Sequence, residues 1–341
     1  MKLLLVKTSS LGDILHTLPA VTDACRHRPD LRIHWIVEEA FARIPPWSPM
    51  VEQTIPLALR RWRKQPWQAI QSGEIPVFFQ TLRASRYDLI LDAQGLIKSA
   101  LIVMMAKGPS HGLDRTSIRE PLAAFLYRHT TPIPKELHAV ERIRLLFASA
   151  LGLPPPEGPP DFGLDPACFG VPPSERPYLM FLHGTTWFSK QWPEPHWYAL
   201  AQQAQQAGMT VQIPWGSVEE KQRAQRIQET APLACRVLPK LDLNQLAAWI
   251  VGAQAVIAVD SGPAHLAAAL GTPTLCLYGP TPTDRIGILG RHAVRLSGSC
   301  PQAPCCHRMC PLPPSGMSPD CLARLEPNQV WNTLETLWSC P

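Results

Sequence analysis

Three short runs, LLLV (3–6), PYLMFL (177–182) and AVIAV (255–259), are apolar at every position or nearly so. Each gives way to a small polar turn and then to a segment with helical apolar spacing. Strands covered on both faces read as continuous apolar runs, and such strands alternating with helices build parallel sheets. The alternation recurs in both halves, at 32–37 and 88–92 in the first and at 209–214 and 273–278 in the second. This predicts an α/β chain of two parallel-sheet domains. The expected divisions are 1–155 and 161–325, with a terminal helix in 326–341. HAVERIRLLFASAL (138–151) would close the first half, and PPPEGPP (154–160) would act as a stiff linker.

In open parallel sheets, ligands bind beyond the carboxyl ends of the strands, so the turns after the three runs matter most. HGTTWFSKQWP (183–193) follows the second run and precedes the helical segment 194–208. Helix-start N–H groups, the hydroxyls of Thr185 and Thr186 and the charge of Lys190 would together suit a phosphate. A polar turn with a solvated lysine fits the same residues, and two bulky aromatics, Trp187 and Phe188, share the loop. KTSSLGDILHTLPA (7–20) follows the first run, and Asp13 opens its helix. Asp13 could be an N-cap or a general base at the mouth of the sheet; the residues alone favour the cap. DSGPAHLAAALG (260–271) follows the third run. Ser261 and Gly262 make a tight turn, Pro263 suits a first helical turn, and Gly271 suits the residue after the helix. His265 could be a satisfied core histidine, but its first-turn position near Asp260 favours a ligand role.

Composition narrows the partners. Residues 1–150 carry 20 Lys and Arg against 13 Asp and Glu, a net +7, while the remainder carries 12 against 14, a net −2. The first half is therefore the candidate face for an anionic partner. Its densest cluster, RRWRK (60–64), precedes Trp67, Phe78 and Phe79, a mixture that suits a phosphate-rich membrane surface or a solvated loop. No nucleic-acid motif accompanies it. No apolar run approaches about 18 residues, so the chain is not expected to span a membrane. A Rossmann dehydrogenase would need G-x-G-x-x-G after its first strand and a P-loop enzyme G-x-x-x-x-G-K-[ST]; neither occurs. Five of the ten cysteines, Cys300, Cys305, Cys306, Cys310 and Cys321, cluster without the paired C-x2-C knuckles of a clean zinc pattern; structural or reduced thiols are expected ahead of a catalytic role, with a bound metal or a redox-labile loop left open.

Taken together, KTSSLGDILHTLPA, IHWIVEEAF (33–41), LILDAQGLIKSAL (89–101) and the two second-half segments resemble the heptosyltransferases of lipopolysaccharide core synthesis, in glycosyltransferase family 9. The pattern HGTT-x3-K-x-W-P-x2-H-W at 183–197 looks like the type I branch. The resemblance implies a GT-B fold, two Rossmann-like domains facing across a cleft with the terminal helix crossing back to the first domain. It implies an inverting, metal-independent, cofactor-free transfer of L-glycero-D-manno-heptose from ADP-L-glycero-D-manno-heptose to Kdo2-lipid A. The work would be done in the cytoplasm, peripherally on the inner leaflet of the inner membrane. By the same resemblance Asp13 is the base and Lys190 neutralises the departing diphosphate. Ser10, Gly12, Thr185, Thr186, Asp260, Ser261, Gly262 and His265 hold the donor. Glu220, in PWGSVEE (214–220), binds ribose, with Glu219 adjacent, and Leu241, in LPKL (238–241), lies beside adenine. Arg60, Arg61, Arg63, Lys64 and Lys98 meet the acidic acceptor. Two other readings stay open at this point: a GT-B transferase with another acceptor or nucleotide sugar, and a silent binder of the lipopolysaccharide precursor.

Overall fold

The computed structural model describes residues 1–170, 172, 177–310, 312 and 320–339. It divides into two compact units, Met1–Leu164 and Asp165–Pro341.

The first unit holds a six-stranded parallel sheet of β1 (Lys2–Val6), β2 (Arg32–Glu38), β3 (Val51–Leu57), β4 (Leu89–Asp92), β5 (Ser110–Leu113) and β6 (His129–Thr131), in the order β3-β2-β1-β4-β5-β6. β1 is central, with Leu4 opposite His34 on one side and Ile90 on the other. Leu3, Leu4, Leu5 and Val6 are all fully buried, as their continuous apolar run requires. Three of these strands escape the sequence pattern for visible reasons. β3 is half exposed and contains Pro56, which confines it to an edge. β5 and β6 are short, and β6 is largely exposed.

The second unit repeats the plan with β7 (Tyr178–Leu182), β8 (Thr210–Ile213), β9 (Cys235–Val237), β10 (Ala255–Val259), β11 (Thr274–Tyr278) and β12 (Ala293–Ser297), in the order β12-β11-β10-β7-β8-β9. Leu179, Phe181, Ile257 and Leu275 fill its core with Trp192 and Trp197. The terminal helix Pro327–Ser339, expected on the first domain, buries Val330, Trp331 and Leu334 in this second core, against β10, β11 and the helix Glu194–Gln206.

The proline-rich stretch is less of a free linker than its composition suggests. Buried Arg144 donates to the carbonyls of Glu157 and Gly158 at 3.2 and 3.1 Å and pairs with Asp23 at 2.6 Å. Gly163, at φ +62, approaches Thr22 so closely that a Cβ would lie 2.4 Å from its hydroxyl. These ties carry the first unit on to Leu164.

In both sheets the strand order reverses once, between β1 and β4 and between β7 and β10. Neighbouring connections leave in opposite directions there and open a crevice at the carboxyl ends. The segments singled out in the sequence are the turns that follow β1, β7 and β10.

Candidate active site

In the first unit the chain leaves β1 through Lys7, which is buried. Its ammonium donates to the Ala93 carbonyl at 2.9 Å and stands 3.9 Å from Asp13 Oδ1. Burial lowers the Lys7 pKa, against the opposing pull of Asp13 and Asp92. Gln94, in the turn after β4, accepts from the Thr8 and Ser9 N–H groups at 2.8 and 3.1 Å and clamps the two switch-point turns together. The helix begins at Leu11 with Ser10 as N-cap, so Asp13 occupies its third position rather than the cap. Asp13 Oδ2 accepts from both the N–H and the hydroxyl of Ser10, each at 2.8 Å. This is the reciprocal half of a capping box. About half of the Asp13 side chain is nevertheless exposed, and Gly12 beneath it is buried. Capping and general-base chemistry are therefore compatible. Asp92, which ends β4, is fully buried and raised in pKa by that burial; it accepts from Tyr127 at 2.7 Å and from the Gln94 and Gly95 N–H groups.

The second unit gathers more of the expected residues. Lys190 Nζ lies 2.7 Å from Asp260 Oδ2, with both side chains largely buried. Thr281 donates to the same oxygen at 2.6 Å, and His265 Nε2 stands 3.9 Å from Oδ1. The Thr185 hydroxyl reaches the Asp260 carbonyl at 3.4 Å, while Thr186 is exposed. The turn Ser261–Gly262 starts the eight-residue helix Gly262–Ala269 with Pro263 in its first turn, and Gly271 follows at φ +79. Ser261 Oγ is buried at that helix start without a protein hydrogen-bond partner among the described residues. A buried hydroxyl of this kind, beside a lysine and a helix N-terminus, suits an anionic ligand.

Glu220 and Glu219 separate clearly. Glu220 is the third residue of the helix Val218–Thr230, and its carboxylate accepts from the Gly216 and Ser217 N–H groups at 2.7 and 3.3 Å. It also abuts Gly184, where an added Cβ would lie 2.5 Å from Oε1; Glu219 is exposed. Trp215 stacks under Lys221 and Lys240 and donates to Leu238, next to half-buried Leu241. Trp187 supports the Lys190 ammonium 4.4 Å from its ring centroid, with Arg308 over the same ring at 5.5 Å. Cation–π stacking gives that otherwise puzzling tryptophan a role.

Thr281, Arg308, Lys7 and Gln94 were missed in the sequence. Thr281 and Lys7 each follow a buried strand, and that position was the available signal. Arg308 comes from a loop whose backbone binds the loop that follows β7, with Ser189 N donating to Arg308 O at 3.1 Å, a tie with no sequence signature.

The basic cluster is less uniform than it looks in sequence. Arg61 is committed to Glu39 and Glu74, at 2.9 and 2.8 Å, and the Glu74 pKa is held down to about 2 by that pairing. Arg60 lies over Phe41, and Arg63, Lys64 and Lys98 are exposed. The clustered cysteines are free thiols, and among the described residues no group of three or more His, Cys, Asp or Glu is arranged to hold a metal. Pro311, which follows Cys310, lies outside the described residues.

The switch point of the second sheet thus carries a buried lysine–aspartate pair, two threonine hydroxyls and a serine hydroxyl without a protein partner among the described residues, a setting that suits a phosphate-bearing ligand. The family model of glycosyltransferase family 9 (heptosyltransferase) matches residues 76–315, and the chain belongs to that family. It is 47% identical to lipopolysaccharide heptosyltransferase 1 of Pseudomonas aeruginosa, over 100% of this chain and 99% of that protein. It is 44% identical to the Escherichia coli protein of the same name, over 86% and 92%. Among solved structures, the E. coli heptosyltransferase WaaC with ADP superposes with a TM-score of 0.87 at 40% identity, covering 99% of this chain and all of that one. The same enzyme with ADP-2-deoxy-2-fluoro heptose gives 0.84 at 39%, over 98% and 99%.

Proposed function

We propose that this chain transfers L-glycero-D-manno-heptose from ADP-heptose to Kdo2-lipid A, with inversion at the anomeric carbon. The observation that carries the donor half is the buried Lys190–Asp260 pair beside the unpartnered Ser261 hydroxyl, in a chain closely similar to a heptosyltransferase solved with ADP.

Asp13 takes the proton of the attacking Kdo hydroxyl as that oxygen bonds to the anomeric carbon. The bond from that carbon to the β-phosphate oxygen breaks, and ADP leaves with the electron pair. A sugar hydroxyl is a weak nucleophile, so a positioned carboxylate contributes about 10²–10⁴-fold. Lys190, Ser261, Thr185, Thr186 and the N–H groups around Gly262 stabilise the growing diphosphate charge, and fixed donors do this without reorganisation. Asp260 and Thr281 hold the lysine in place, and His265 completes that wall. Ser10 and Gly12 shape the turn that presents Asp13 to the donor. Glu220 receives the ribose hydroxyls and Leu241 the adenine. Arg60, Arg63, Lys64 and Lys98 meet the acidic acceptor, and Arg61 positions their loop through Glu39 and Glu74. No metal is required by this donor set. The acceptor is a lipid, so the enzyme works peripherally at the cytoplasmic face of the inner membrane. Among the described residues no helix is long and apolar enough to cross it.

The test is ADP release by the purified protein with ADP-heptose and Kdo2-lipid A, each omitted in turn. Release that needs both supports the proposal. No release with the donor still bound would redirect it to another acceptor.

A further inference from the structure

The first unit carries an apolar surface that the transfer chemistry does not use. In the helix Ile97–Met105, Ala100, Ile102 and Val103 face the core. Ile97, Leu101, Met104 and Met105, spaced by four, three and one, line the opposite side, where Leu101 is 53% and Met104 57% exposed. The 3-10 turn Pro121–Leu126 packs beside this helix. Its Ala123 and Ala124 are buried, while Leu122 and Phe125, eclipsed at a spacing of three, are 67% and 68% exposed. Large exposed side chains gathered in two adjoining stripes mark an interaction surface.

The charges around the stripes identify the partner. Residues 97–128 contain five cations, Lys98, Lys107, Arg115, Arg119 and Arg128, all exposed. The segment's two carboxylates are turned inward to its own backbone: Glu120 accepts from the Ile97 N–H at 2.6 Å and Asp114 from the Ser117 N–H at 2.8 Å. Arg115 also lies over the Phe125 ring at 5.8 Å. Aliphatic and aromatic side chains ringed by cations whose neighbouring acids are occupied match an anionic lipid bilayer, with apolar groups at the acyl boundary and cations at the phosphates.

We infer that the face built from the helix Ile97–Met105 and the turn Pro121–Leu126 docks this enzyme on an anionic membrane surface, independently of the basic cluster at 60–64. The helix begins directly after the Asp92–Gly95 turn that clamps the Asp13 loop. Docking there would set the base next to the lipid whose headgroup it deprotonates.

The test is co-sedimentation of the full chain with phosphatidylethanolamine/phosphatidylglycerol vesicles, with phosphatidylcholine vesicles as control. Wild type should bind the anionic vesicles, and binding should weaken as salt rises. The triple variant Leu101→Glu/Leu122→Glu/Phe125→Glu should lose at least tenfold, and Lys98→Gln/Arg115→Gln/Arg119→Gln should lose the preference for anionic lipid. Melting temperatures near wild type establish that the variants are folded. Three outcomes would overturn the assignment: wild type that ignores anionic vesicles, a triple variant that binds as wild type does, or a wild-type dimer that the triple variant converts to monomer. Vesicle binding is read without turnover, so its outcome is separable from that of the proposed reaction.

Discussion

The Lys190 ammonium and the Asp260 carboxylate meet at 2.7 Å, almost wholly shielded from solvent, at the switch point of the second sheet. A buried pair of this kind is expensive to break from one side, because the remaining charge is left uncompensated. Lys190→Ala should therefore destabilise the protein by about 3 kcal/mol as well as abolish measurable transfer. Lys190→Ala/Asp260→Asn should recover most of the stability and none of the activity. Chemical denaturation together with the ADP-release assay separates the two effects. Recovery of activity in the double variant would remove Lys190 from the mechanism.

Asp13 is held by Ser10 and faced by Lys7 while keeping half its surface open. Asp13→Ala should retain donor affinity within a fewfold and lose turnover by about 10³ or more, because it removes an interaction made mainly in the transition state. Calorimetric titration with ADP-heptose checks the first part and single-turnover kinetics the second. A variant close to wild-type rate would leave Asp13 as a helix cap alone.

Gly184 leaves room for the Glu220 carboxylate and for nothing more. Gly184→Ala should push that carboxylate aside and raise the donor KM roughly tenfold, the effect of forfeiting one hydrogen bond, with a smaller change in kcat. Glu220→Gln should follow the same pattern. A Gly184→Ala enzyme with unaltered donor KM would detach Glu220 from the nucleotide.

His183, between β7 and this glycine, is buried and its pKa is lowered to about 3 by that burial, with the Arg223 charge adding to the effect. In the unfolded chain it titrates near 6.5, so below that pH the unfolded state takes up a proton that the native state refuses. Stability is fully present above about pH 6.5 and falls with decreasing pH at roughly 1.4 kcal/mol per unit until the native histidine protonates. Urea midpoints should drop between pH 7 and 5 for wild type and drop less for His183→Asn. Equal slopes in the two proteins would refute the assignment.

The sequence made the centre of each sheet legible and its periphery obscure. Strands buried on both faces, such as β1, β7 and β10, must be apolar throughout, and the ligand turns are whatever follows them. β3, β5 and β6 face solvent or carry proline, so their residues show no comparable pattern. Within the site, Lys190, Asp260 and Glu220 stood inside recognisable motifs. The commitment of Arg61 to two glutamates and the pinning of residues 157–158 by Arg144 depend on partners distant in sequence, which no local spacing records.

The buried hydroxyl of Ser261 sets two demands on one position against each other. Removing it should make the empty protein firmer, since an unsatisfied polar group no longer has to be kept from water. The same change should weaken the grip on the diphosphate. A redesign guided by thermal robustness alone would be drawn to substitute this residue first, and would yield a sturdier protein that works less well.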